Sequence, residues 1–331
     1  MTLNLDIRCN SQGRFYLYFP FMCISDIHLG TKQSRGKLLC RMFQNCQIDR
    51  LVMAGDIVDL EALQKQKKWK FGRWQRQFIA HVLRKASSTT YTEYLEGNHE
   101  REELFSKLVN KTLYDIHFKQ TTIHIDPKDR QFLILHGHQY DQQISDTSTR
   151  EAYYVFGEVF HKLMNQAGGT IKNSVLFEDS ASVVASLKRT KFVEQRIKKY
   201  FRVNIELEKN IDSSKYDGAI YGHTHNASFV PTNKNKLLIN DGCCVENVQA
   251  LVHDRDGNWA IIEWHKKHLK IFNETGSSQK VTWKQLEVPY FKDSPWETED
   301  QYTAKTDKIL SLVYRLTRPF EEQNQITILT R

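Results

Sequence analysis

The sequence predicts an α/β fold, with strands that feed chemistry-bearing loops and a second half richer in antiparallel pairing. Three observations predict it. Five short apolar, β-rich runs each end in a cluster of Gly and polar residues, helical periodicity lies between them, and two hairpin signals follow. Ligands of such sheets gather beyond the carboxyl ends of the strands, where all five clusters fall.

The elements follow in order. FMCI from Phe21 precedes SDIHLG, RLVMA from Arg50 precedes GDIVD, and YTEYL from Tyr91 precedes EGNHE. FLIL from Phe132 precedes HGH, and YDGAIY from Tyr216 precedes GHTH. A helix over 37–46 carries Leu38, Leu39, Met42 and Phe43 on one face, and one over 74–86 carries Phe78, Ile79, Val82 and Leu83. TTIHI and QFLIL flank Asp126-Pro127-Lys128-Asp129, and VQALVHD and NWAIIEW meet at Asp256-Gly257, both hairpin signals. Residues 142–214 are largely helical in pattern, interrupted at Gly168-Gly169, and separate HGH from GHTH. The expected layout is a main domain over 1–270 containing that insertion. A polar, aromatic-spotted extension of unread role, with a helical stretch at 307–316, occupies 271–331.

Bulk composition sets limits. The 331 residues are 40% hydrophobic, 11% aromatic and 26% charged, enough for a substantial core and against wholesale disorder. A formal charge of +8 suits anionic partners such as phosphate esters, nucleic acid or acidic lipid head groups. Cys9, Cys23, Cys40, Cys46, Cys243 and Cys244 form no CxxC pair and read as free thiols in a reducing compartment. The longest apolar stretch, FYLYFPFMCI, is shorter than the roughly 18–20 residues that span a bilayer, and it runs straight into SDIHLG. The expected location is the cytoplasm, with peripheral contact at the inner face of a membrane left open.

The clusters spell D-x-H (Asp26, His28), G-D-x-x-D (Asp56, Asp59), G-N-H-E (Asn98, His99, Glu100), a lone His136, and G-H-x-H (His223, His225). Each alone is weak, and a strand-end Asp is often only a helix N-cap. Their conjunction, each behind a strand-like run, is a strong signal. Two divalent ions about 3.5–4 Å apart clamp a phosphate and lower the pKa of a bridging water. One ligand must then be shared, and the two-oxygen carboxylate of Asp56 is the natural choice. Mixed carboxylate, imidazole and amide donors suit Mn²⁺, Fe or Zn²⁺, with Mn²⁺ the first choice.

The pattern resembles the calcineurin-like metallophosphoesterase superfamily. That resemblance, from about Phe21 to His265, implies an α/β/β/α metallophosphoesterase sandwich with a dinuclear site. It implies a first ion on Asp26, His28, Asp56 and His225, and a second on Asp56, Asn98, His136 and His223. His99 then corresponds to the group beside the leaving oxygen and Asp59 to the carboxylate that orients it. Stretches such as SDIHLGT, GDIVDLEALQKQKKWKFGRW, DGAIYGHTHNA and VENVQALVHDRDGNWAIIEWH resemble UDP-2,3-diacylglucosamine diphosphatase-like proteins, in which the insertion is a helical cap over the site. The established diphosphatases of that group carry Arg where this chain has His99. Relatives usually read Gly-Asp-Trp where this chain has Gly242-Cys243-Cys244.

The expected activity is metal-dependent hydrolysis, a bridging hydroxide attacking a phosphate ester or pyrophosphate, with a nucleotide- or lipid-linked pyrophosphate first in order. A protein or nucleotide phosphatase is the alternative enzyme, although Leu60 follows GDIVD where Ser/Thr protein phosphatases have Arg-Gly. A non-catalytic nucleic-acid binder or scaffold is the alternative of another class. Glu100 could favour a helix N-terminus, and His138 and Asp141 could line the pocket or sit in a loop. His81, His117, His124, His161, His253, His265 and His268 lack ligand spacing. In 65–76, cations interleave with Trp69, Phe71 and Trp74, as in base-stacking surfaces or as a solvated helix with tryptophans turned inward. In the insertion, Val183, Val184, Leu187, Phe192, Ile197 and Phe201 form a loose apolar stripe. Lys188, Arg189, Lys191, Arg196, Lys198, Lys199 and Arg202 supply positive charge there. Such a helix can lie on an anionic membrane or pack as an ordinary cap.

Overall fold

The computed structural model describes residues 2–11, 15–65, 71–100, 105–141 and 183–286, with the side chains of 64–65 and 183–197 left aside. Strands β2 (Phe15–Ile24), β3 (Cys46–Ala54) and β4 (Tyr91–Leu95) run parallel at the centre of the first sheet. Beyond β4 lie β6 (Ile116–Lys119), parallel to it, and the short β5 (Thr112–Leu113). On the other side β12 (Val248–His253), β13 (Trp259–Trp264), β14 (His268–Asn273) and β15 (Ser278–Thr282) continue antiparallel. β1 (Asp6–Cys9) also pairs with β2. The second sheet has the order β10 (Ser228–Pro231), β11 (Leu237–Asn240), β9 (Gly218–Tyr221), β8 (Gln131–Ile134), β7 (Thr122–Ile125).

Side-chain alternation explains the layering, because each strand sends neighbouring residues to opposite faces. Phe21, Cys23, Val52, Ala54 and Leu95 of the first sheet meet Phe132, Ile134, Ile220 and Ile239 of the second. The opposite face of the first sheet, with Met22, Ile24, Leu51 and Met53, is covered by α1 (Gly36–Asn45) and α3 (Arg73–Ala86). On the outer face of the second sheet, Val203, Leu207 and Ile211 of α4 (Val183–Ser213) pack on Leu135, Ala219, Tyr221 and Leu238. Burying each such aliphatic side chain contributes about 1.5–3 kcal/mol. The layers are helix, sheet, sheet, helix, the sandwich that the family resemblance implies.

Several expectations need correction. The strand expected from Phe21, β2, begins at Phe15 and runs through Pro20. A central proline is tolerated because β2 changes partner there: β1 pairs with Phe15 to Tyr18, and β12 with Phe21 to Cys23. The second half is antiparallel-rich, as expected, with parallel pairing confined to β8, β9 and β11 of the second sheet. The boundary expected after residue 270 falls inside β14; β15 extends the sheet, and Trp283 and Leu286 reach the core. In the insertion, the buried stripe of α4 comprises Val203, Leu207 and Ile211, beyond the residues singled out in the sequence, of which Phe201 is half-buried. The other stripe residues, 142–182, 66–70 and 287–331 lie outside what is described. Phe71 is buried and Trp74 packs against the core, an inward role for that part of the cationic stretch. All six cysteines are free.

Between the sheets sits a buried polar relay. Arg50 Nη1 donates to His124 Nδ1 (3.2 Å), and an arginine can only donate, so the His124 proton is on Nε2. That proton is directed at His253 Nε2, 2.8 Å away, and His253 Nδ1 donates to the Asp254 carbonyl at 2.7 Å. Protonating either ring would set two N–H groups against each other. Burial, with the neighbouring cations, pushes His124 down to about 3 and lowers His253. Unfolded histidines take up protons near pH 6.5 while these do not, so the pair removes stability as pH falls below about 6.5. In denaturant melts at pH 7.0 and 5.5, His124→Gln should lose less stability on acidification than wild type. Identical losses would contradict the relay.

Candidate metal centre

The five clusters converge because β2, β3, β4, β8 and β9 all point their carboxyl ends at one edge of the sandwich. The loops after β2 and β3 are stitched together. Ile27 and His28 each donate a backbone N–H to Asp56 O at 2.9 Å, and Leu29 donates to Ile57 O at 2.8 Å. Asp26, His28, Asp56, His223 and His225 all take left-handed backbone, with φ between 49° and 62°. Outside glycine such conformations cost about 1–3 kcal/mol each and persist where the surroundings enforce them, most often at functional sites. Two glycines allow the close packing. A Cβ on Gly97 would come within 2.2 Å of the Asp56 nitrogen, and one on Gly222 within 2.2 Å of Ser25 Oγ.

Each central carboxylate has one oxygen held from behind. Asp26 Oδ2 accepts from Ser25 Oγ (2.6 Å) and the His223 N–H (2.9 Å), and Asp56 Oδ1 accepts the His99 N–H at 2.9 Å. The other oxygens face inward. Asp26 Oδ1 lies 2.9 Å from His225 Nε2 and 3.9 Å from His28 Nε2. Asp56 Oδ2 lies 3.2 Å from His136 Nε2, 3.8 Å from His28 Nε2 and 3.9 Å from His99 Nε2.

The histidines are oriented likewise. His136 Nδ1 donates to the Ala54 carbonyl at 2.8 Å, which makes Nε2 the lone pair aimed at Asp56. His28 Nδ1 faces Asp59 Oδ2 at 3.4 Å, and His223 Nε2 faces Asp141 Oδ2 at 3.1 Å. Asp26 Oδ1, His28 Nε2, His136 Nε2 and His223 Nδ1 are consequently buried with no well-aligned hydrogen-bond partner. Buried acceptors without donors are costly, and a cation satisfies all of them at once. Three sets have ligand atoms within 4.8 Å of one another: Asp26, His28 and His225; Asp56, His136 and His223; and His28, Asp59 and His99, in which Asp59 bridges the two imidazoles. Carboxylate and imidazole donors in this arrangement fit borderline divalent ions.

Charge tells the same story. Burial pushes the His28 and His136 imidazoles down, but the facing carboxylates outweigh it and raise both to about 9; His225 rises to about 10 beside Asp26. Burial would raise Asp56, but His136 dominates and brings it to about 2, and Asp26 is held well below the usual carboxylate range beside His225. The cluster thus stabilises positive charge, whether carried by protons or by divalent cations.

Asp59 has two roles. Its Oδ1 accepts the Ala62 N–H at 2.7 Å, capping α2 (Leu60–Lys65), while Oδ2 lies 3.3 Å from His99 Nδ1 in an ion-pair contact. The Asp59 contact raises His99, whose side chain stays 32% exposed and so reaches solvent. Asn98 is exposed on the turn just before it. Glu100 differs from its expected helix-terminal role: Oε1 and Oε2 accept the N–H groups of Asp56, Ile57 and Val58 (2.9, 2.6 and 3.1 Å), and Tyr94 OH adds a bond of 2.7 Å. It shapes the Asp56 loop from below. Behind Asp26, Ser25 Oγ also touches Asp241 Oδ1 at 2.7 Å, and burial raises Asp241 to about 7. No spacing in the sequence signals the Ser25–Asp241 or Asp141–His223 contacts, which join distant segments. Cys244 donates its N–H to Asp26 O at 3.1 Å, which brings the Gly242-Cys243-Cys244 loop against the site. His138 lies beside His136 and His223, with ring centroids 5.5 and 6.3 Å away.

A chain with this sandwich and this cluster belongs to a recognisable class: residues 19–227 match the calcineurin-like phosphoesterase family model, and the protein is a member of that family. It is therefore a metal-dependent phosphoesterase, a hydrolase whose family uses a dinuclear divalent metal centre. Among solved structures it is similar to a Vps29 variant from Entamoeba histolytica (10% identity, TM-score 0.37, 79% of this chain and 98% of that one). It is also similar to a predicted phosphoesterase from Streptococcus pneumoniae (11%, TM-score 0.31, 79% and 96%) and to a dimetal phosphatase from Danio rerio (13%, TM-score 0.32, 80% and 99%). These likenesses concern fold alone. No curated protein matches the chain. Among the described residues, no helix is long and apolar enough to cross a membrane.

Proposed function

We propose that the protein hydrolyses a nucleotide- or lipid-linked pyrophosphate at a two-ion centre held by Asp26, His28, Asp56, Asn98, His136, His223 and His225, with Mn²⁺ the favoured ion and Fe or Zn²⁺ as alternatives. The observation that carries the two-ion reading is Asp56 Oδ2, which faces His136 of one set and His28 of another from 3.2 and 3.8 Å. Two divalent ions supply a water of lowered pKa and neutralise charge on the phosphoryl oxygens. The chain does the rest. Glu100 and the stitched loops keep Asp56 fixed, and Asp59 holds His99 so that Nε2 can give a proton to the departing oxygen.

The pyrophosphate preference rests on resemblance of the motif flanks to UDP-2,3-diacylglucosamine diphosphatase-like proteins and on the +8 charge. Lys199 and Arg202 of α4 add cations beside the centre, Lys199 Nζ lying 2.6 Å from the His223 carbonyl oxygen. His99, where the established enzymes of that group have Arg, leaves room for substrates other than the sugar lipid. The test is a panel with added Mn²⁺: a UDP-sugar lipid, nucleoside diphosphates, a phosphopeptide and single-stranded DNA. Preferential turnover of the diphosphates is expected. Preference for the phosphopeptide, or hydrolysis of DNA alone, would overturn the substrate assignment.

A further inference from the structure

The geometry points to Asp141 and Arg202 as positioning residues that fix the ring and tautomer of His223, and so set the affinity of one ion of the pair; this rests on the two-ion reading above. Asp141 follows the 3-10 turn His138–Tyr140 that leaves His136, while Arg202 belongs to α4, on the far side of the insertion. Arg202 Nη2 and Nε donate to Asp141 Oδ1 at 2.7 and 3.1 Å. That leaves Oδ2 for His223 Nε2 at 3.1 Å. A carboxylate beside a guanidinium only accepts, so the His223 proton sits on Nε2 and Nδ1 keeps its lone pair. Nδ1 is the buried ring nitrogen without a partner, and His223 is grouped with Asp56 and His136.

The same helix also holds the backbone of His223. Lys199, one turn before Arg202, donates to the His223 carbonyl oxygen, at a residue in left-handed conformation with φ 62°. α4 is itself anchored by Val203, Leu207 and Ile211 on the second sheet. The helix that closes the insertion therefore grips a predicted ligand by ring and main chain. As a mere surface ion pair, Arg202–Asp141 would contribute little to anything measurable. As an outer partner of a metal-ligating imidazole, its loss typically weakens metal affinity about 10–100-fold.

The experiment compares full-length wild type with Asp141→Ala, Asp141→Asn and Arg202→Gln. Each is stripped with chelator, titrated with Mn²⁺, and followed by metal analysis and by the electron paramagnetic resonance signal of a coupled Mn²⁺ pair. Wild type should take two ions. Asp141→Ala should keep one tightly, bind the second about 10–100-fold more weakly and lose the coupled signal at limiting metal. Asp141→Asn, which retains an acceptor, should fall between, with melting of the stripped proteins little changed. Wild-type affinity for both ions in Asp141→Ala overturns the inference. So does equal loss of both ions in all three variants together with lowered stripped-protein melting, the mark of a structural pair. Wild type that binds no divalent ion overturns the two-ion reading itself, a separate outcome.

Discussion

Asp56→Asn is expected to lower phosphoester hydrolysis by about 10³-fold or more and to reduce bound metal. Lewis-acid stabilisation is worth several kcal/mol, and each 1.4 kcal/mol, roughly, is a factor of ten in rate. The magnitude follows from the position of Oδ2, which three imidazole nitrogens approach within 3.2–3.9 Å, and from the proposed sharing of that oxygen between the two ions. The amide keeps the shape of the side chain and can still accept the His99 N–H, so folding should survive. Without the carboxylate, His136 loses the main partner that outweighs its burial, and its pKa should fall from about 9. Chelation of wild type should reproduce the loss, and added Mn²⁺ should restore activity to wild type but not to the variant. Full activity of chelated wild type would remove the metal from the mechanism.

His99→Asn is expected to retain both ions yet lose about 10²–10⁴ in rate, the usual contribution of a positioned proton donor. His99 is 32% exposed, ion-paired to Asp59 through Nδ1, and its raised pKa favours the protonated ring. A group of that kind matters when the departing oxygen needs a proton. The loss should therefore be large for an alkyl phosphate and small for a nitrophenyl phosphate, whose leaving group departs as an anion. Asp59→Asn should show the same pattern more weakly, since it leaves the ring in place but loosens its orientation. Equal losses on both leaving groups would assign His99 to ion binding instead.

What this sequence determined alone was the set of local signals. Strand runs ending in DIHLG, GDIVD, GNHE, HGH and GHTH are each readable within about ten residues, because hydrophobic periodicity and the residue type at a strand end are local properties. The helices over 36–45 and 73–86 and both hairpins were legible for the same reason. Asp26, His28, Asp56, Asp59, His99, His136, His223 and His225, singled out by their local spacing, come together at one edge of the two sheets.

Only the tertiary structure decided how those groups face one another. Pro20 sits inside a strand because β1 and β12 divide the edge of β2 between them, a matter of who the neighbours are. Glu100 holds the Asp56 loop, Asp141 holds His223, and Asp241 stands behind Asp26, through contacts between residues 42–216 positions apart. His124 and His253, with no ligand spacing at all, form a pair across 129 positions. Side-chain hydrogen bonds of this range have no periodic signature, since their geometry exists only after the sheets have stacked. Tautomer and charge are set there too: a carbonyl on His136 and a guanidinium behind Asp141 select which nitrogen keeps its lone pair, and burial decides which groups hold protons.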